Sequence, residues 1–211
     1  MLSTDQPVTS RNAEKYDAIL EEAIRVFAEV GFRNTDVQVI ADKAGVGKGT
    51  VYRYFGNKED LFWAACFSVM ERLGNHVTRA VQGNHGALQT LRMAGMAYAE
   101  FFENNPHYLD VFVQDRAEFR GAAPDSHKQF QQEILQVFAL VIERGIAEGE
   151  IRPVDAHKTI TAMASMFYGT VNFACYVKDR YRLSELAEHG LNLFLAGIRQ
   201  DRSDAVKDSD Q

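Results

Sequence analysis

Gly31, Gly45 and Gly56 cut the first sixty residues into short amphipathic segments. Between them the apolar residues recur at helical spacing, not in strand-like alternation. Ile19, Ala23, Val26, Phe27 and Val30 share one helical face, and Gly31 is placed to end that helix. Val37, Ile40, Ala41 and Ala44 share a second face, after which Gly45 supplies the left-handed position past a helix end. A third helix is predicted from about Lys48 to Tyr54, with Gly56 as its stop. Asn57 then caps a fourth, carrying Glu59 and Asp60 in its first turn and running to about Thr78. Thr35 and Gln38 read as a capping box at the start of the second helix. Two short helices joined by a glycine turn and packed between longer ones form a helix-turn-helix unit.

Within this unit the run GVGKGT looks like a phosphate-cradling loop. It fails as a nucleotide P-loop, which needs Gly, four residues, then Gly-Lys and a hydroxyl residue. Asp42 stands at the first glycine position and Gly49 at the hydroxyl position. The preceding segment is helical in pattern, whereas a P-loop follows a buried strand. Lys48 therefore faces some other phosphate. The chain carries a net charge of −6, yet Lys43, Lys48, Arg53 and Lys58 are separated by no acidic residue. Thr50, Tyr52 and Tyr54 add hydroxyl donors to the same stretch. Gly47 and Gly49 allow close backbone approach at a helix start, where free N–H groups favour an anion. Clustered cations and donors of this kind fix a protein on the DNA backbone. A merely solvated basic face is the plainer alternative, and the agreement of charge, donors and helix-turn-helix pattern weighs against it.

The pattern TDVxxIAxxAGVxKGTVYRYFxNKEDLF, over about residues 13–62, resembles the N-terminal domain of TetR-type transcriptional regulators. The resemblance implies that the third helix enters the major groove of operator DNA. By position it assigns Lys48, Gly49, Thr50, Tyr52, Arg53 and Tyr54 to DNA, with Val51 and Phe55 in the core. Lys58 would meet a backbone phosphate, and Thr35, Val37 and Gln38 would lie at the groove edge. Arg53 is the first choice for base reading, because its fork can pair with guanine O6 and N7 together. The chain departs from the family at Tyr54, often histidine there, and at Gly47, often a hydroxyl residue that caps the third helix.

The rest of the chain completes an all-α expectation of about nine helices. Helices are predicted over about 86–103, 106–115, 126–148, 155–178 and 184–200, with a loop over 116–125. Residues 1–10 and 203–211 are expected to be disordered tails, 11–60 a DNA-binding domain, 58–79 the linking fourth helix, and 80–202 a second domain. An apolar content of 46% supports a sizeable core. The resemblance implies a ligand-binding and dimerisation role for the second domain. Met93, Met96, Phe101, Tyr108, Phe112, Phe138, Met163, Met166, Phe167 and Phe173 are the candidate lining for an apolar small-molecule effector. Core packing explains any single one of them, and adaptable methionines and aromatics suit a cavity as a set. Thr170 and Asn172, with Tyr176 nearby, are the candidate orienting groups.

Ala162, Ser165, Gly169 and Ala174 on the eighth helix, with Leu186, Leu193, Phe194 and Gly197 on the ninth, suit an isologous interface in a homodimer. Such a dimer would set its recognition helices roughly 34 Å apart, or a multiple of that. The six histidines and two cysteines, Cys66 and Cys175, show no metal-ligand spacing. No nucleophile and base stand together, so neither an enzyme nor a cofactor is expected. No segment reaches the length of a membrane span, and a cytoplasmic protein is expected. The reading is a ligand-released repressor on a palindromic operator. An architectural nucleoid protein with the same head but no ligand is the alternative, and a helical enzyme with an accidental head is a remoter one.

Overall fold

The computed structural model describes residues 8–119, 123–177 and 180–200. Among them nine helices form: α1 (Val8–Asn34), α2 (Val37–Lys43), α3 (Lys48–Phe55), α4 (Lys58–Ala80), α5 (Ala87–Asn104), α6 (Pro106–Phe119), α7 (Asp125–Ala147), α8 (Ala156–Val177) and α9 (Leu183–Ile198). The only β pairing among the described residues is an isolated bridge between Ile151 and Arg199. The expected tails lie outside the described residues, except that Val8–Ser10 already belong to α1. Once a helix has nucleated, adding residues to its end costs little.

The chain divides into two compact units. The first takes the chain through Glu71 together with Pro106–Pro124, so it holds α1, α2, α3, the first part of α4, and α6. The second takes Arg72–Asn105 and the chain from Asp125 onward.

The core of the first unit is built around Ile19, Ile24, Phe27, Ile40, Leu61 and Phe62, all fully buried. The Phe27 and Phe62 rings meet edge to face at 5.2 Å, and Phe32 stacks beside Phe27 at 6.1 Å. The glycine stops act as the sequence predicts, with a refinement at Gly31. There φ is +78° and ψ is 162°, so α1 kinks and continues for one more turn. At Gly45, φ is +66°. The Val46 amide donates to the Ala41 carbonyl at 3.0 Å and the Gly45 amide to that of Asp42 at 3.2 Å, closing the end of α2.

The kink at Gly31 explains a correction at the start of α2. Thr35 does not cap that helix. Its hydroxyl donates to the Gly31 carbonyl at 2.7 Å, satisfying an end group of α1. Asp36 is the cap, its Oδ1 accepting from the Gln38 amide at 2.8 Å. A carboxylate is the stronger acceptor at the positive end of a helix.

α6 runs on through residues 116–119, where a loop was expected. Gln114 and Glu118 fasten it to α1. The Gln114 Oε1 accepts from the Phe32 amide at 2.9 Å, and its Nε2 donates to the Phe27 carbonyl at 2.9 Å. Arg33 Nε pairs with Glu118 at 2.6 Å. These partners are invisible to a local reading, because they lie more than eighty residues apart in sequence.

In the second unit, α5 packs against α7, α8 and α9. Gly95 and Gly145 mark the tight crossings. A β-carbon on Gly95 would lie 2.5 Å from the Phe167 ring and 2.9 Å from Leu191. One on Gly145 would lie 2.5 Å from the Ala87 side chain. Glu103 accepts from the Ser184 amide at 2.8 Å, tying α5 to the start of α9.

Candidate nucleic-acid interface

α3 is short, and its two faces are sharply different. Val51 and Phe55 are buried, while Gly49, Tyr52 and Arg53 are exposed. The exposed three sit at i, i+3 and i+4, which is one side of a helix. Gly47 caps α3 through its backbone alone, and nothing stands within 4 Å of where a β-carbon on Gly47 or Gly49 would be. The start of α3 is therefore open to close approach.

The structure places the expected DNA-facing residues in three groups. Tyr52, Arg53 and Gly49 are exposed, with Thr50, Lys48, Gln38 and Lys58 half-buried around them. Lys48 Nζ lies 3.0 Å from Asp36 Oδ1, and the Lys58 ammonium donates to the Arg33 carbonyl at 3.1 Å. Lys58 also sits 4.8 Å above the Phe32 ring. Both ammonium groups are thus held at fixed points on this surface. Gln38 spends its amide on Asp42 at 2.8 Å.

Tyr54 turns toward α1: its hydroxyl donates to Asn12 Oδ1 at 3.1 Å and its ring meets Tyr16 edge to face at 6.1 Å. Thr35 and Val37 are buried, with 5% and 3% of their surface accessible, so their side chains face the protein. The sequence pattern could not separate these three from their neighbours, because helical spacing gives a face without saying what covers it.

Asp36 is the residue that sequence reasoning missed. The Gln38 amide, and after it the Lys48 ammonium, hold the Asp36 carboxyl below the ordinary carboxylate range. Lys48 is correspondingly raised, first by its hydrogen bond to Asp36. Both charged groups reach solvent, so this pair orients Lys48 rather than adding much stability. The available signal was a carboxylate at a helix start, twelve residues before a lysine at the next one.

The residues expected to line a ligand site fall in both units. Tyr108 and Phe112 stand on α6 in the first unit, the others in the second. Phe173 is exposed, with 65% of its surface accessible. Phe101 and Phe167 are buried, and Met93, Met96, Met166 and Phe138 are half-buried. Thr170 donates its hydroxyl to the Met166 carbonyl and Asn172 donates to that of Tyr168, so both bond back to their own helix. The side chains of Ala174, Cys175 and Tyr176 lie outside the described residues.

Two open grooves of about 380 and 470 Å³ run along the outer side of α8, lined by His157, Lys158, Ala162, Phe194 and their neighbours. None of the expected ligand-lining residues borders them. Among the described residues no three His, Cys, Asp or Glu side chains gather to hold a metal, and no helix is long and apolar enough to cross a membrane.

Comparison with known proteins agrees with this geometry. Residues 19–65 match the family described as bacterial regulatory proteins, tetR family, and residues 84–172 match the tetracyclin repressor-like C-terminal domain. The HTH-type transcriptional repressor KstR2 of Mycobacterium tuberculosis is 32% identical over 152 residues, covering 69% of this chain and 72% of that repressor. The fatty acid metabolism regulator protein of Bacillus subtilis is 25% identical over 193 residues, covering 87% of this chain and 95% of the regulator. The crystal structure of FadR from Bacillus subtilis in complex with stearoyl-CoA superposes with a TM-score of 0.73 at 24% identity, over 87% of this chain and all of the other.

Proposed function

The chain belongs to the tetR family of bacterial regulatory proteins, and from that premise we propose that it is a homodimeric repressor released from a palindromic operator by a small, partly apolar effector. The observation that carries the reading is the two-faced α3. It buries Val51 and Phe55 and offers Tyr52 and Arg53 to a groove. Arg53 reads a base edge, and Lys48 and Lys58 meet phosphates on either side. Gly49, Thr50 and Gln38 border that contact. The burial of Thr35 and Val37 and the inward turn of Tyr54 give those three supporting places beside it.

Exposed apolar and small residues on α8 and α9 support the dimer. Phe173 and Leu193 each have 65% of their surface accessible. Gly169 and Gly197 have open space where a side chain would stand. Such a stripe suits helices that pack closely across a two-fold axis. The effector acts from the second unit. α4 belongs to both units, so a ligand that favours one placement of α4 shifts the balance between DNA-binding and released forms. KstR2 is named a repressor, and FadR was crystallised with stearoyl-CoA, which supports both the sign of regulation and the ligand class. The protein acts in the cytoplasm, beside the DNA, and performs no catalysis.

The test is selection of duplexes from a randomised pool, followed by the stoichiometry of the complex. Enrichment of an inverted repeat bound by two chains is expected. A pool with no enriched sequence would replace this reading with that of an architectural DNA-binding protein.

A further inference from the structure

Asp36 puts a negative charge where a phosphate-binding surface gains nothing from one. From Lys43 to Lys58 the chain carries four cations and no acidic residue. At the start of α2 this carboxylate nevertheless meets them. Its Oδ1 lies 3.0 Å from Lys48 Nζ, and Lys58 is near enough to act on it as well. The Asp36 side chain keeps 62% of its surface accessible and that of Lys48 39%, so the pair lies open.

Capping does not require the charge. Oδ1 accepts from the Gln38 amide at 2.8 Å, and asparagine or serine caps a helix about as well. The other acid of α2, Asp42, is taken up by the Gln38 side chain at 2.8 Å. The Gln38 amide, and then Lys48, hold the Asp36 carboxyl below the ordinary carboxylate range, so it is ionised at neutral pH.

Resting on the regulator reading above, we infer that the Asp36 carboxylate determines specificity, by cancelling the Lys48 charge toward arbitrary DNA while holding Lys48 in place for one operator phosphate. Non-specific binding is almost wholly electrostatic. A phosphate that takes Lys48 leaves a bare carboxylate beside it, so the pair offers an arbitrary duplex no net charge. An exposed pair is weak, so a phosphate fixed in register by other contacts can still share the ammonium. There a lysine already held near its target needs less ordering. Removing the charge from Asp36 therefore strengthens contact with any duplex, and costs that ordering on the operator alone.

Fluorescence anisotropy at several salt concentrations tests this, with the duplex enriched by selection and a scrambled one. The proteins are the full chain, Asp36→Asn and Asp36→Ser, both of which keep a capping oxygen. Each variant is expected to bind the scrambled duplex roughly five- to tenfold more tightly at about 0.1 M salt, with a salt slope steeper by about one. On the enriched duplex the gain should stay within about twofold, so the preference narrows. Scrambled binding that is unchanged or weaker in both variants would overturn the proposal. So would an equal gain on both duplexes, which would make Asp36 a plain repulsive charge. Failure of the regulator reading would appear in wild type alone, as no preference between the duplexes, and would take this proposal with it. Failure of the proposal by itself appears only in the variants, beside a wild type that discriminates.

Discussion

Replacing Gln114 by alanine removes the clasp that holds α6 to the kinked end of α1. Three hydrogen bonds go: from the Phe32 amide, to the Phe27 carbonyl and to the Asp110 carbonyl, each 2.9 Å long. The first two are partly buried and the third is exposed. A partly buried bond contributes about 1 kcal/mol net, and an exposed one a few tenths. The expected loss is therefore about 2–3 kcal/mol. Gln114→Glu is a sharper probe. It keeps an acceptor for the Phe32 amide but turns a carboxylate toward two carbonyls, so it should lose at least as much at pH 7 and recover part of that on protonation. Urea unfolding followed by Trp63 fluorescence is the assay, because the chain's single tryptophan is buried in the same unit. A loss under about 0.5 kcal/mol for the alanine variant, or wild-type stability for glutamate at pH 7, would refute the reasoning.

Gly95→Ala should destabilise the second unit by about 1–3 kcal/mol, since the new methyl would collide with Phe167 and Leu191; thermal unfolding checks it. Asp36 makes an acid-limb prediction. Its carboxyl is lowered on folding, so its stabilisation is complete above the unfolded value of about 4 and is lost as pH falls through the lower folded value. Asp36→Asn keeps a capping oxygen and loses the charge, so its unfolding temperature should fall less between pH 5 and pH 2.5 than that of wild type. Lys48→Ala and Lys58→Ala should each reduce the salt slope of DNA binding by about one, read from titrations at several salt concentrations; an unchanged slope removes that lysine from the phosphate contacts.

The helices of the first unit were legible because each signal was local. Glycine stops and the Asn57 cap follow from residues within a few positions, whereas the core places of Val51 and Phe55 came from the resemblance to TetR-type regulators. Helical periodicity likewise located α5, α7, α8 and α9. What escaped depends on distant partners. Thr35 could not be seen to bond back to Gly31, nor Asp36 to hold Lys48, without knowing where the kink turns the chain. The extension of α6 rests on Arg33 and Gln114 contacts across more than eighty residues. The ligand-lining set was the least legible part, because methionine and aromatic stripes look alike whether they fill a core or a cavity.

The central claim is that the exposed face of α3 reads DNA sequence. Fluorescence anisotropy with the enriched duplex and a scrambled one, comparing wild type with Arg53→Ala, tests it most directly. Wild type should prefer the enriched duplex. Arg53→Ala should lose about 1–3 kcal/mol on that duplex, roughly five- to 150-fold, with a much smaller change on the scrambled one. An Arg53→Ala variant that keeps the full preference would contradict the account.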